Sequence, residues 1–275
     1  MSIRGRALSG LAALLFAGFG ASVCFAQTLE TETARLLPAG WWKTGSAYEF
    51  QRSSEGTEAA LPFLAEYGVT DNLELIMEPV PYTAIRPKAG EHAAGSGDFE
   101  VTLTYRFMQE GRRVPAMAMA GEVKFPTARD TLIGTGKTDY AAYFIASKRL
   151  GRFDTHLNLS YTVPGSPAGA SLNNLIGYAL AAVYRPNDHI ECFAEVFGNT
   201  SAGSGGEVGD TAGAAAVVPE ASGGELVGTL GAGRYVRPNL LVYLAVSYDN
   251  NNALQVRPGL TFRFPTARAG RSLTN

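Results

Sequence analysis

Charge is scarce in this chain of 275 residues: Asp, Glu, Lys and Arg make up 17% of it, against roughly 25% in soluble globular domains. The 23 basic residues are dispersed, so the clustered cations that displace counterions from nucleic acid are missing and no nucleic-acid partner is expected. Two cysteines exclude a disulfide-built scaffold and a cysteine-rich metal site. The three histidines, His92, His156 and His189, stand on separate segments without H-x-x-x-H spacing, which argues against a histidine metal centre. The GSGD and GTGK glycine clusters are not followed by a helical pattern, so no phosphate loop and no cofactor is expected. Long apolar runs are missing too: beyond the first residues the longest is 175–184, well short of the ~20 residues of a helical span. What the chain has instead is 46% hydrophobic residues and 32 glycines at a mean hydropathy of +0.00. That is too apolar for a disordered chain.

Residues 1–26 carry Arg4 and Arg6, an apolar stretch and small residues up to Ala26, the order of a secretory signal peptide cleaved after Ala26. A lipidated Cys24 fits less well, because Val23 stands where a small residue is expected. Loss of the leader leaves 21 basic and 25 acidic side chains. The protein is expected to be exported.

Downstream, apolar and polar residues alternate over segments of about ten residues, the period of a strand with two unlike faces. In DFEVTLTYRF, Phe99, Val101, Leu103, Tyr105 and Phe107 oppose Asp98, Glu100, Thr102, Thr104 and Arg106. DTHLNLSYTV and ALQVRPGLTFRF repeat the pattern. Twelve such segments are read: 41–51, 58–69, 73–82, 98–107, 115–125, 139–149, 154–163, 173–185, 190–198, 226–236, 239–249 and 253–264. Connections after even-numbered segments are mostly short turns, whereas several after odd-numbered ones are longer and Gly-rich. In hydrocarbon every backbone N–H and C=O needs an internal partner, which only helices or closed sheets provide. The expected fold is therefore all-β: an antiparallel up-and-down transmembrane β-barrel of about 12 strands, with short periplasmic turns and longer extracellular loops, in a Gram-negative outer membrane. Trp41, Trp42 and tyrosines near segment ends suit interfacial girdles. A soluble β-sandwich also alternates but gives no reason for the connection lengths to alternate. The expected organisation is a signal peptide (1–26), a periplasmic or lumenal extension (27–40), the barrel (41–264) and a tail (265–275). Residues 199–225 read as a Gly/Ala/Ser-rich loop, or as a loop holding an extra hairpin.

The phrases YGVTDNLEL (67–75), GSGDFEVTLTYRF (95–107), GEVKFPT (121–127), GKTDY (136–140), KRLGRFDTHLNLSYT (148–162) and ECFAEVFG (191–198) together resemble the MetA-pathway of phenol degradation family of outer-membrane proteins. The similarity runs from about Tyr67 to Phe264. It implies an outer-membrane barrel and passage of aromatic or other hydrophobic compounds, and it brings no active-site residues. The implied partners are outer-membrane lipid, a small hydrophobic or aromatic solute, and the export and barrel-assembly machinery.

Alternation places ten polar residues on the inner face: Glu100 and Arg106, Glu122 and Lys124, His156 and Asn158, Glu191 and Glu195, Arg257 and Arg263. Ionisable groups at membrane depth are costly unless they face inward. They either pair across the interior and keep the barrel shut or line a polar passage. His156, Asn158 and Ser160 share residue types with outer-membrane phospholipases. At about 7 Å per two-residue step direct contact between them is not expected, and a lumenal nucleophile would not meet lipid. Cys192 is expected on the lipid side with Ile190, Ala194 and Val196. The expectation is a non-enzymatic channel, with a closed structural or adhesion barrel and a lipid-modifying enzyme as alternatives.

Overall fold

The computed structural model describes residues 28–167, 171–201 and 224–266. The leader, most of the Gly/Ala/Ser-rich loop and the tail beyond Thr266 lie outside the described residues.

Alternating side chains form sixteen strand segments: β1 (Trp41–Ala47), β2 (Glu49–Arg52), β3 (Gly56–Ala60), β4 (Phe63–Thr70), β5 (Leu73–Pro79), β6 (Thr83–Pro87), β7 (Ala93–Gly95), β8 (Phe99–Met108), β9 (Ala116–Phe125), β10 (Asp139–Leu150), β11 (Phe153–Val163), β12 (Leu175–Asn187), β13 (Ile190–Asn199), β14 (Glu225–Arg237), β15 (Leu240–Asp249) and β16 (Leu254–Pro265). β1, β4, β5 and then β8 to β16 pair in that order, and β16 returns onto β1, from Trp41 opposite Pro265 to Ala47 opposite Gly259. The result is the expected closed antiparallel barrel of twelve staves. The remaining four segments extend β1, β4, β5 and β8 at one end, pairing as β16, β2, β3, β6 and β7.

Here the structure corrects the expected segments. Four staves are longer than their apolar cores and interrupted, at 48, 61–62, 80–82 and 96–98, and proline accounts for three of the breaks. Pro62, Pro79 and Pro81 have no N–H to give to a ladder, so between the pairs Ala65/Met77 and Ala60/Thr83 only Leu61 N–H to Tyr82 O, at 2.9 Å, joins the second and third staves. Across from Tyr48 stands Pro258, whose carbonyl accepts the Tyr48 N–H at 3.0 Å but which likewise has no N–H to return.

The connections follow the expected asymmetry. Residues 71–72, 109–115, 151–152, 188–189 and 238–239 close one end, and residues 126–138, 164–174 and 200–224 are the longest links at the other. By the outer-membrane pattern the short-turn end faces the periplasm. The outer face carries Leu103, Met119, Leu159, Leu180, Leu244 and Leu230, the last 70% exposed. In water so continuous an apolar surface would be untenable; it fits lipid. Ring pairs Trp42/Tyr67, Phe153/Tyr184 and Phe262/Phe264, with centroids 4.6, 4.8 and 5.4 Å apart, girdle the periplasmic end, and Phe99/Phe125 sits toward the other. Cys192 is a free, exposed thiol on this outer face.

Candidate functional site: the occluded lumen

The lumen is not filled by wall side chains alone. On β9 the run AMAMA turns Met117 and Met119 outward and Ala116, Ala118 and Ala120 inward, leaving a trough in the inner wall. Ala34 packs there with Ile145, because residues 28–40 enter the barrel and run along its inside. Leu29, near the first described residue, packs against the apolar cluster that holds Phe193, Leu241 and Tyr243.

A segment threaded through a barrel has no ladder to join, so its backbone must be satisfied by side chains. The fully buried Glu195 accepts the N–H groups of Leu29, Glu30 and Thr31 at 2.6, 3.1 and 3.1 Å and the Thr31 hydroxyl at 3.0 Å. Asn158 accepts the Glu32 N–H at 2.6 Å and donates to the Glu32 carbonyl at 2.9 Å. The Ser147 hydroxyl accepts the Ala34 N–H at 2.9 Å, Glu74 that of Leu37 at 2.6 Å and Asp71 that of Ala39 at 3.1 Å. At its base the segment meets backbone: Gly40 N–H donates to Gly68 O at 2.7 Å, and the Gly40 carbonyl accepts the Thr266 N–H at 2.7 Å. The chain crosses so closely there that a Cβ on Gly68 would lie 2.2 Å from the Pro38 oxygen.

Ion pairs hold the segment at two points. Near its first described residues, Arg257 lies 2.6 Å from Glu30 and 2.8 Å from Glu49. Toward the periplasm, Arg35 lies 2.6 Å from Glu110 and 2.9 Å from Asp154. Asp154 also takes Arg149 at 2.9 Å and Arg185 at 2.8 Å. Burial alone would raise the Glu110 carboxyl, but the Arg149 N–H and the Arg35 guanidinium bonded to it hold it below the usual range.

Beside this segment remains a cavity of about 340 Å³ against β1, β4, β5 and β8, lined in part by Glu32, Lys43, Glu66, Glu74, Glu78 and Glu100. Lys43 pairs with Glu66 at 2.6 Å. Glu78 and Glu100 stand directly opposite each other on β5 and β8, a pairing of like charges that costs energy. On the lipid side, where the second and third staves part, lies a mostly apolar recess of about 560 Å³ lined by Thr44, Ala65, Pro79, Pro81 and Leu260 together with Gly45, Ser46, Phe63 and Leu64. The last four also line the lumenal cavity. Only their thickness separates lumen from lipid.

With this geometry the chain can be set beside known proteins. It has the fold of bacterial outer-membrane channels. The COG4313 outer membrane channel from Pseudomonas putida F1 superposes with a TM-score of 0.63 at 11% identity, over 86% of this chain and 100% of that one. The NanC porin gives 0.55 at 11% identity over 80% and 98%, and the KdgM porin in complex with disordered oligogalacturonate gives 0.53 at 11% over 81% and 99%. No family model and no curated protein matches the chain, so the resemblance to the MetA-pathway family holds at the coarser level of a twelve-stranded outer-membrane barrel.

The ten inner-face residues are distributed unevenly through this arrangement. Glu100 and Arg263 line the cavity, with Arg257 and His156. Asn158 and Glu195 hold the threaded segment, as above. Glu122 accepts Tyr143 OH at 2.9 Å and Thr102 Oγ1 at 3.2 Å, and Lys124 pairs with Asp139 and, at 3.7 Å, with Asp98. Glu191, 0% exposed, faces Arg185 Nε at 3.6 Å and Tyr235 OH at 3.5 Å. Arg106 turns to the periplasmic rim, where it donates to the Asp71 carbonyl and to Asn72 Oδ1. Their ion-pair partners include Glu30, Glu49, Asp98, Asp139 and Arg185, which alternation alone did not single out.

His156 Nδ1 lies 2.9 Å from the hydroxyl of Ser147, one stave away, rather than near Ser160. Since that hydroxyl already accepts the Ala34 N–H and is covered by the threaded segment, the Ser–His contact is closed to lipid and lacks the exposure a nucleophile needs. Among the described residues no group of three or more His, Cys, Asp or Glu is placed to hold a metal ion.

Proposed function

We propose that the protein is a non-enzymatic outer-membrane channel that takes up small hydrophobic or aromatic compounds by passive diffusion. The observation that supports this most is the interruption between the second and third staves, which sets an apolar recess on the lipid side back to back with the lumenal cavity across Gly45, Ser46, Phe63 and Leu64. Backbone exposed at membrane depth is tolerated only where it lines a cavity or is otherwise satisfied. The three prolines lower that cost, having no N–H to leave unpaired. A solute dissolved in the apolar layer reaches the recess without crossing the charged extracellular rim. From there it passes Phe63 and Leu64 into a cavity whose volume suits a small molecule and moves on toward the periplasmic turns.

Expression of the protein in Gram-negative cells is expected to speed accumulation of a neutral aromatic dye such as N-phenylnaphthylamine several-fold. Unchanged dye uptake together with absent conductance in planar bilayers would instead favour the closed structural barrel, for which the occluded lumen speaks. The ions that do pass are expected to be mainly cations, because nine acidic side chains line the cavity, Glu32, Glu74, Glu78 and Glu100 among them, against five basic ones, Arg35, Lys43, Arg149, Arg257 and Arg263, and a wall with an excess of one sign concentrates counter-ions. The reversal potential in a potassium chloride gradient measures this; preference for chloride would place these carboxylates outside the ion path.

A further inference from the structure

The segment inside the barrel is built in two mechanically different parts. From Arg35 to Gly40 it is anchored. Arg35 is paired with Asp154 and Glu110, Leu36 and Leu37 are buried, Gly40 is bonded to the Gly68 backbone, and the Gly68 backbone abuts Pro38. From residue 28 to Ala34 its polar contacts are with side chains of the wall: Glu195, Asn158 and Ser147 by hydrogen bonds and Arg257 by an ion pair. None of these contacts belongs to the barrel's own ladder, so with the leader cleaved after Ala26, as the sequence predicts, this part can leave without breaking a strand pairing. Glu30 is 37% exposed and borders three of the recesses inside the barrel.

We propose that residues 28–34 are a hinged flap and the gate of the lumen, with residues 35–40 as its fixed base. The Glu30–Arg257 pair is its latch at the extracellular side. Peeling the flap from β10, β11 and β13 joins the recesses that Glu30 separates into one passage, and the wall groups it exposes, Glu195, Asn158 and Ser147, are polar and suited to water. The polar contacts named above are side-chain hydrogen bonds and an ion pair that water can replace, the apolar contacts of Leu29 and Ala34 are the part of the closure that water does not replace, and the anchored base keeps a displaced flap close enough to return.

This proposal rests on the channel reading, and one experiment separates the two. Thr33 Oγ1 and Ser147 Oγ lie 3.4 Å apart, so Thr33→Cys with Ser147→Cys, in a Cys192→Ala background, places two sulfur atoms within easy reach of a disulfide. In planar bilayers the oxidised full-length protein is expected to lose its large conductance events and the reduced protein to regain them. A variant lacking residues 28–33 is expected to conduct several-fold more than wild type while keeping the heat-dependent gel shift of a folded barrel. In the Thr33→Cys variant without the second introduced thiol, again in the Cys192→Ala background, a membrane-impermeant thiol reagent should label the flap slowly, as it opens. Equal conductance of oxidised and reduced forms, or wild-type conductance after the deletion, would overturn the gate and leave the channel reading intact. Absence of conductance and of dye uptake in every form, the deletion included, would overturn both.

Discussion

Replacing Leu64 by Trp is expected to slow uptake of a neutral aromatic dye several-fold, and replacing it by Ala to speed it, with little change in potassium chloride conductance in either case. Leu64 lies where the lumenal cavity and the lipid-side recess meet, and both are lined by it. It stands on β4 just after Pro62, in the stretch where the second and third staves share no ladder, so its side chain, not a backbone hydrogen bond, closes the wall. An indole there occupies the passage from the inside, and a methyl group vacates it. Removal of a Leu side chain from a packed site costs about 2–5 kcal/mol when the site cannot collapse, but here one side of the site is already open, which favours the lower end. Ions entering from the aqueous mouths do not need the gap, which is why conductance serves as the control. Parallel loss of dye uptake and conductance in Leu64→Trp would mean that both solutes share the axial path, and equal dye uptake in Trp, Leu and Ala forms would remove lateral passage altogether.

The staves were legible because a barrel wall imposes one rule on every residue: lipid outside, polar lumen inside. DFEVTLTYRF and DTHLNLSYTV obey it along their centres, and the inner-face assignment of Asn158, Glu191 and Glu195 followed from parity alone. Parity says nothing about partners. Arg257 meets Glu30 only because the ring closes β16 onto β1 and because residues 28–40 return through the lumen. Nothing in QTLETETARLLPAG announces that path: the segment has no periodicity, and the groups that hold its N–H donors, Glu195 and Asn158, are more than a hundred residues away. A signal for it did exist in the inner row Ala116, Ala118 and Ala120, three small side chains facing a space that wall residues alone would not fill. The prolines were a second unread signal. LPF and EPVPY sit inside apolar runs, and reading through them as strand hid the place where the lumenal cavity and the lipid-side recess share their lining.

Asp154→Asn is expected to destabilise the barrel by about 3–5 kcal/mol, the range for removing one partner from a buried ion pair, and to raise conductance by loosening the anchored base. Asp154 is 2% exposed and lies within 2.9 Å of each of Arg35, Arg149 and Arg185. The amide keeps its shape but not its charge, so three guanidinium groups are left converging on a neutral acceptor. Arg35 retains Glu110, and Arg185 has the longer 3.6 Å approach to Glu191. Burial decides which partner matters. Arg149 is 47% exposed, so water screens its share and Arg149→Gln should cost no more than about 1 kcal/mol, whereas the Arg35 side chain, 18% exposed, ties the fixed end of the threaded segment to the wall. Unfolding midpoints in urea, followed by the heat-dependent gel shift, would rank the variants as Asp154→Asn well below Arg149→Gln and wild type. Conductance adds a reading that stability alone does not move, since Asp154→Asn acts on the base of the flap and Arg149→Gln does not. Equal destabilisation by the two variants would show that the cluster is a solvated surface network, with no part in holding the occluding segment.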